Sequence, residues 1–144
     1  MTEQNFKNHG RMVPLFHYVA FAAILFPFIL SLIHFFKSLN EGSGRLQAAA
    51  MVSLTVAVIL ALWFARSFAL KAQDRGIRAE EELRYFAITG NLPDSKLKMS
   101  QYIALRFAPN NEFIDLAHRA VAENLSSKQI KEAIQHWRGD YNRV

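Results

Sequence analysis

Five histidines raise the first chemical question, because a neutral imidazole ligates metals and haem and moves protons near pH 7. His17 and His34 lie in one apolar stretch, 17 residues apart. On a helix that is about 25 Å along the axis and roughly 100° around it. One chain cannot bring both to a single metal or haem, and the next apolar stretch has no histidine to complete either site. His118 and His136 fall on the polar flanks of predicted helices. Glu80, Glu81 and Glu82 are adjacent, so on a helix they diverge and read as a solvated face rather than an acid pair. There is no cysteine, which removes disulfides and thiolate sites. The metalloprotease, phosphate-loop, nucleophile-elbow and dinucleotide signatures are all absent. The residues therefore predict no catalytic group, no metal ligand and no cofactor, and a protein that is not an enzyme.

What remains to carry function is surface, and the charge pattern says which surfaces exist. A mean hydropathy of +0.04 conceals two unlike halves. Residues 12–70 hold four charged side chains, Lys37, Glu41, Arg45 and Arg66, whereas 71–144 hold twelve Lys/Arg and ten Asp/Glu. Two apolar stretches, 12–36 and 46–70, each exceed the roughly 20 residues a helix needs to cross a bilayer. The first is too long for a cleaved signal and no small-residue cleavage site follows Phe36. Pro14 suits a first helical turn, and Pro27 should bend the helix. The connector 37–45 is rich in turn formers, Asn40, Gly42, Ser43 and Gly44, which predicts an antiparallel hairpin. Lys7, Arg11, Arg66, Lys71, Arg75 and Arg78 flank the ends away from the connector. Positive charge stays inside, so the expectation is a multi-pass protein of the cell (inner) membrane with an external connector and both termini, beginning with the segment 1–11, in the cytoplasm. Arg66 reads as snorkelling to the headgroups.

Two surfaces stand out. On the second span Ala49, Ser53, Ala57, Ala61, Ala65 and Ala69 recur at every fourth position. Small residues at that spacing let helix backbones approach closely in lipid. Each step of four drifts about 40°, so the ridge wraps about half the helix. Part of it is expected to face the first span, and the rest a second copy or another membrane protein. Just after the span, Gln73, Asp74, Arg75, Arg78 and Glu81 set mixed charge on a juxtamembrane helix, 71–91, as a candidate partner surface. The same residues also suit intrahelical pairs such as Asp74–Arg78 and Arg78–Glu81. Gly76 is a weak point of this helix, and Gly90-Asn91 its C-terminal cap.

The segment 92–144 reads as a three-helix cytoplasmic domain. Asp94-Ser95 is expected to cap a first helix reaching Phe107, and Asn110-Asn111 a second with Glu112 in its first turn. Phe113, Leu116, Ala117, Ala120 and Val121 form the apolar stripe of that second helix. Ser126 and Gln129 form a capping box for a third, with the stripe Ile130, Ala133, Ile134, Trp137 and Tyr141. Helices this short need mutual packing, and about 50 residues is near the lower limit for an independent core. The fold class is all-α: a two-helix transmembrane hairpin followed by a small helical domain.

Several runs carry a resemblance: Glu3-Gln-Asn-Phe-Lys-Asn-His9 with Met12-Val-Pro14 and His17-Tyr18; Phe68-Ala-Leu-Lys-Ala-Gln-Asp-Arg75 with Ile77-Arg-Ala-Glu-Glu81; Ile103-Ala-Leu-Arg-Phe-Ala108; and Lys131, Ala133-Ile134, Trp137, Asp140 and Arg143-Val144. Through these the whole chain resembles an uncharacterised bacterial domain-of-unknown-function family of small two-span membrane proteins. The resemblance implies no activity and no functional residue. The expected role is a non-enzymatic scaffold or accessory subunit that binds a partner through its helices. A component of a transport complex is the first alternative and a membrane-tethered nucleic-acid regulator the second. The expected partners are the lipid bilayer and a second copy or a larger membrane protein. Nucleic acid is disfavoured, because 95–144 holds eight basic against five acidic side chains, a thin footprint for DNA.

Overall fold

The computed structural model describes residues 4–8, 10 and 13–141, and among them it is helical, with no strand. Five helices follow one another: α1 (Leu15–Glu41), α2 (Arg45–Thr89), α3 (Met99–Leu105), α4 (Asn110–Ala122) and α5 (Ser127–Ala133). Glu3, His9, Arg11, Met12, Arg143 and Val144 lie outside the described residues. The chain forms two units, one within 11–68 and the other made of 1–10 together with 69–144.

In the first unit α1 opens with six residues wound as a π-helix, Leu15–Ala20, runs unbroken through Pro27, and ends at Gly42. Gly42 has φ +74 and its N–H donates to the Ser38 carbonyl at 3.1 Å, a left-handed stop that favours glycine. Helix α1 thus outruns its apolar stretch, and the break between the two long helices shortens to Gly42, Ser43 and Gly44. The helices pair antiparallel. Ser31 Oγ lies 3.3 Å from Thr55 Oγ1, and the Arg66 guanidinium sits over the Phe16 ring at 5.5 Å. Each of these hydroxyls also donates to its own helix, Ser31 to Phe28 and Thr55 to Val52, so neither is left unbonded in apolar surroundings.

Helix α2 continues through Gly76 without interruption and ends at Gly90, whose N–H donates to the Phe86 carbonyl. In the second unit its inner face buries Ile77, Glu81 and Tyr85. Tyr85 joins the core built from Leu97 and Tyr102, Leu105 and Phe107 around α3, Phe113 and Leu116 of α4, and Ile130. The small domain is therefore completed by the last turns of α2, which add the surface that three short helices lack.

Three helix boundaries differ from the expectation, the first through a rival local cap and the other two through a tertiary partner. Asp94 does not start α3. Its carboxylate accepts the Lys96 N–H at 2.8 Å in a turn, and the helix starts at Met99, after Lys98, whose N–H is taken by Gln101 Oε1. Asn110 is the first residue of α4 rather than its cap, because its side chain accepts a hydrogen bond from Arg84. Helix α5 keeps the Ser126–Gln129 capping box but stops at Ala133 instead of reaching Tyr141. The Glu112 carboxylate takes the Gln135 and His136 N–H groups at 2.9 and 3.0 Å, and Ile134 is already extended. The tail then runs back over the domain. Arg138 N–H donates to the Phe107 carbonyl, Trp137 packs on the Phe107 ring at 5.0 Å, and Asp140 pairs with Arg106 at 3.1 Å.

Candidate functional site

The mixed charges between Gln73 and Glu81 do not form one surface. Glu81 is buried, with a side chain 6% exposed, so the expectation that Glu80–Glu82 form a solvated face fails for its middle member. The three do diverge, as 100° per residue requires. Glu81 accepts from Arg84 at 2.9 Å, and Arg78 instead donates to Glu82 at 2.7 Å. The Arg78–Glu81 pair is therefore not made, and the expected Asp74–Arg78 pair gives way to Arg78–Glu82, which reaches into the Tyr102 hydroxyl. Gln73 and Asp74 are half-buried, while Arg75 is exposed.

Arg84 is the centre that sequence reading missed. Its guanidinium donates from Nη1 to Glu81, from Nε to Asn110 Oδ1 at 2.8 Å, and from Nη2 to the Ala108 carbonyl at 2.8 Å, while lying 4.2 Å over the Phe113 ring. It ties α2 to the α3–α4 turn through two hydrogen bonds and to α4 through the Phe113 ring. Arg138 approaches Glu81 at 4.0 Å from the tail. An open depression of about 560 Å³ is bounded by Arg84, Pro109, Asn110 and Arg138. The i,i+3 spacing of Glu81 and Arg84 was the available signal. Burial raises the Glu81 pKa, and Arg84 only partly offsets it; burial likewise lowers that of Arg84. On the other side Tyr102 is pushed up to about 12 by burial and by its bond to Glu82. These are the settings of a structural clasp.

The histidines find separate partners. His17 Nδ1 lies 2.9 Å from the Val13 carbonyl oxygen, His118 Nε2 lies 3.2 Å from the Tyr85 hydroxyl, and His136 Nδ1 lies 2.8 Å from Glu112. Among the described residues no three His, Asp or Glu side chains gather as metal ligands.

Glu112 supplies a pH-dependent latch for the tail. Partial burial pushes its carboxyl up, but the N–H groups of Gln135 and His136 and the His136 ring outweigh this and hold it below its ordinary value. With the folded pKa depressed, its stabilisation is complete above the usual carboxylate range and is lost as pH falls through the folded value. In a Trp63→Phe background, Trp137 emission should report tail release on acidification. Glu112→Gln should be less stable at pH 7, with the gap closing in acid. A gap constant from pH 7 to pH 3 would refute the latch.

On α2 the small-residue ridge is set away from α1. The residues of α2 that α1 shelters are Ala48, Val52, Thr55, Ile59 and Leu62. The ridge begins and ends half-buried at Ala49 and Ala69, but Ser53, Ala57, Ala61 and Ala65 are exposed. At 100° per residue Ala57 lies about 180° from Ala48. The expected contact between ridge and first span is thus replaced by a separate stripe, in which the threonine and serine hydroxyls meet.

Residues 1–144 match, in full, the model of a family of unknown function, DUF6526. No curated protein and no solved structure matches the chain.

Proposed function

The chain belongs to DUF6526, and from its own geometry we propose that it is an integral membrane protein acting as a non-enzymatic scaffold or accessory subunit. Its hairpin crosses the inner membrane, and its helical domain holds a partner on the cytoplasmic side. One observation carries this. Both long helices are apolar enough to span a bilayer, and only 6% of the most apolar window of each is buried within the chain. The core helix of a soluble protein would be mostly covered. Here the apolar surface is left for lipid and for other helices, since bare exposure of this size to water is not tolerated in a stable monomer. The reciprocal hydrogen bonds between Gln4 and Asp140, at 3.1 and 2.9 Å, support the even-span topology, because they join the N-terminal segment to the C-terminal domain.

Alkaline carbonate extraction should leave the chain in the membrane pellet, and a reporter fused after Val144 should be active only in the cytoplasm. Purification in mild detergent should bring down a membrane-protein partner or a second copy. Ala57→Leu with Ala61→Leu should weaken that association, because bulk on the outer ridge keeps a neighbouring helix away. Recovery as a lone monomer from gentle extraction would remove the scaffold role, and a reporter active only outside would invert the topology.

A further inference from the structure

Beyond Ala69 the small-residue pattern of α2 changes period. Spacing of four gives way to alternating three and four: Ala69, Ala72, Gly76, Ala79, Leu83 and Phe86. These are successive a and d positions of a heptad repeat, none of them charged. Ala72, Gly76, Ala79, Leu83 and Phe86 are all exposed, the last two at 69% and 49%. The buried residues Ile77, Glu81 and Tyr85 lie on the opposite side of the helix, so the domain of the same chain does not cover this seam.

Gly76 is the residue that calls for a partner. It sits inside a long helix, where glycine is unfavourable relative to alanine. Nothing in its own chain requires it: a Cβ there would meet no atom within 4 Å, and its backbone is not left-handed. A glycine between two alanines on an exposed face is what close approach of another helix backbone needs.

We propose that this seam binds a second copy of the chain as a parallel two-stranded coiled coil. The proposal rests on the membrane reading above for its direction, since two copies inserted alike in one bilayer present their α2 helices in parallel. Charge pattern selects the occupant. Arg75 takes a g position and Glu80 the e position five residues on, which face each other across a parallel dimer. Both are exposed and neither forms an ion pair with a described residue of its own chain, whereas Arg78, Glu81, Glu82 and Arg84 are all engaged there. Two-fold symmetry makes the Arg75–Glu80 contact twice, so the seam is self-complementary.

The chain's lack of cysteine makes the test direct. Single cysteines are placed in the full chain in native membranes and oxidised. Ala72→Cys and Ala79→Cys should give disulfide-linked homodimers, and Ile88→Cys, exposed on the far side, should not. In the Ala79→Cys chain, Arg75→Glu or Glu80→Arg alone should lower the linked fraction by about threefold or more, and the two together should restore it. Gly76→Glu, which sets a charge in the seam, should abolish linkage at residue 79, although on the exposed face of a monomer it would only favour the helix. Equal linkage in the Ile88→Cys chain, charge reversals that do not rescue each other, or an Ala79→Cys chain linked to a different protein would each overturn the proposal. Carbonate extraction of the same membranes reads the anchoring separately. A chain stripped from the membrane that still links at residue 79 keeps the seam and sinks the anchoring; a retained chain that does not link sinks the seam alone.

Discussion

Arg84→Met destabilises the helical domain by about 3–5 kcal/mol, the cost of leaving a buried carboxylate without its cation. Glu81 is nearly inaccessible, and its remaining cation, Arg138, stands at 4.0 Å and is half exposed. The loss is compounded at Asn110 and the Ala108 carbonyl, which give up their donors. The signature lies in the second substitution. Arg84→Met combined with Glu81→Met should be more stable than Arg84→Met alone, because the stranded charge is gone. The deficit of the single variant should also shrink as pH falls. Burial already raises the Glu81 pKa, and loss of Arg84 raises it further, so protonation relieves the variant more than the parent. Chemical denaturation in mild detergent, followed by Trp137 emission, measures both. A double variant worse than the single would show that Glu81 is not held by Arg84.

The next largest effect is expected at Gln101, which is 2% exposed and spends its whole amide group on backbone. Its Oε1 accepts the Lys98 N–H at 2.8 Å, and its Nε2 donates to the Ala120 carbonyl at 2.8 Å and the Leu125 carbonyl at 2.9 Å. One side chain thus starts α3 and fastens it to the end of α4 and the turn that leads to α5. Gln101→Leu keeps the bulk and strands these groups in an apolar core, for a loss of about 2–4 kcal/mol. Gln101→Glu keeps the shape but points a carboxylate at two carbonyl oxygens. It should lose at least as much at neutral pH and recover part on acidification, when the protonated acid donates to one of them. Thermal unfolding of the two variants at pH 7 and pH 4 separates these terms. A Gln101→Leu melt matching that of the parent would remove the fastening role.

The apolar period and the turn chemistry made most of the architecture readable in advance. Two stretches of 25 residues with almost no charge, a glycine-rich break, Gly90 as a stop and the Ser126–Gln129 box are local features, and local physics decides them. An apolar run of 25 residues is too long for a strand and reads as a helix, and a glycine at φ +72 ends a helix for its own reasons. The all-α hairpin followed by a small helical domain was therefore legible from the residues alone.

Tertiary structure decided which of several locally acceptable partners each polar group takes. Asn110 and the residues after Ala133 each had a plausible helical role, and each was diverted by a side chain distant in sequence: Arg84 for Asn110 and Glu112 for the tail. Arg78 had three carboxylates within helical reach and took Glu82, because burial had already committed Glu81 to Arg84. The face of α2 that meets α1 was likewise undecidable from spacing. Alanine packs acceptably on either side, and the hydroxyls of Ser31 and Thr55 fixed the rotation that turns the ridge outward. Local preferences are worth a few tenths of a kcal/mol to about one, whereas a buried unpaired polar group costs more. At Asn110 and at the end of α5, where the two compete, the long-range partner wins, and no pattern along the chain records which partner that is.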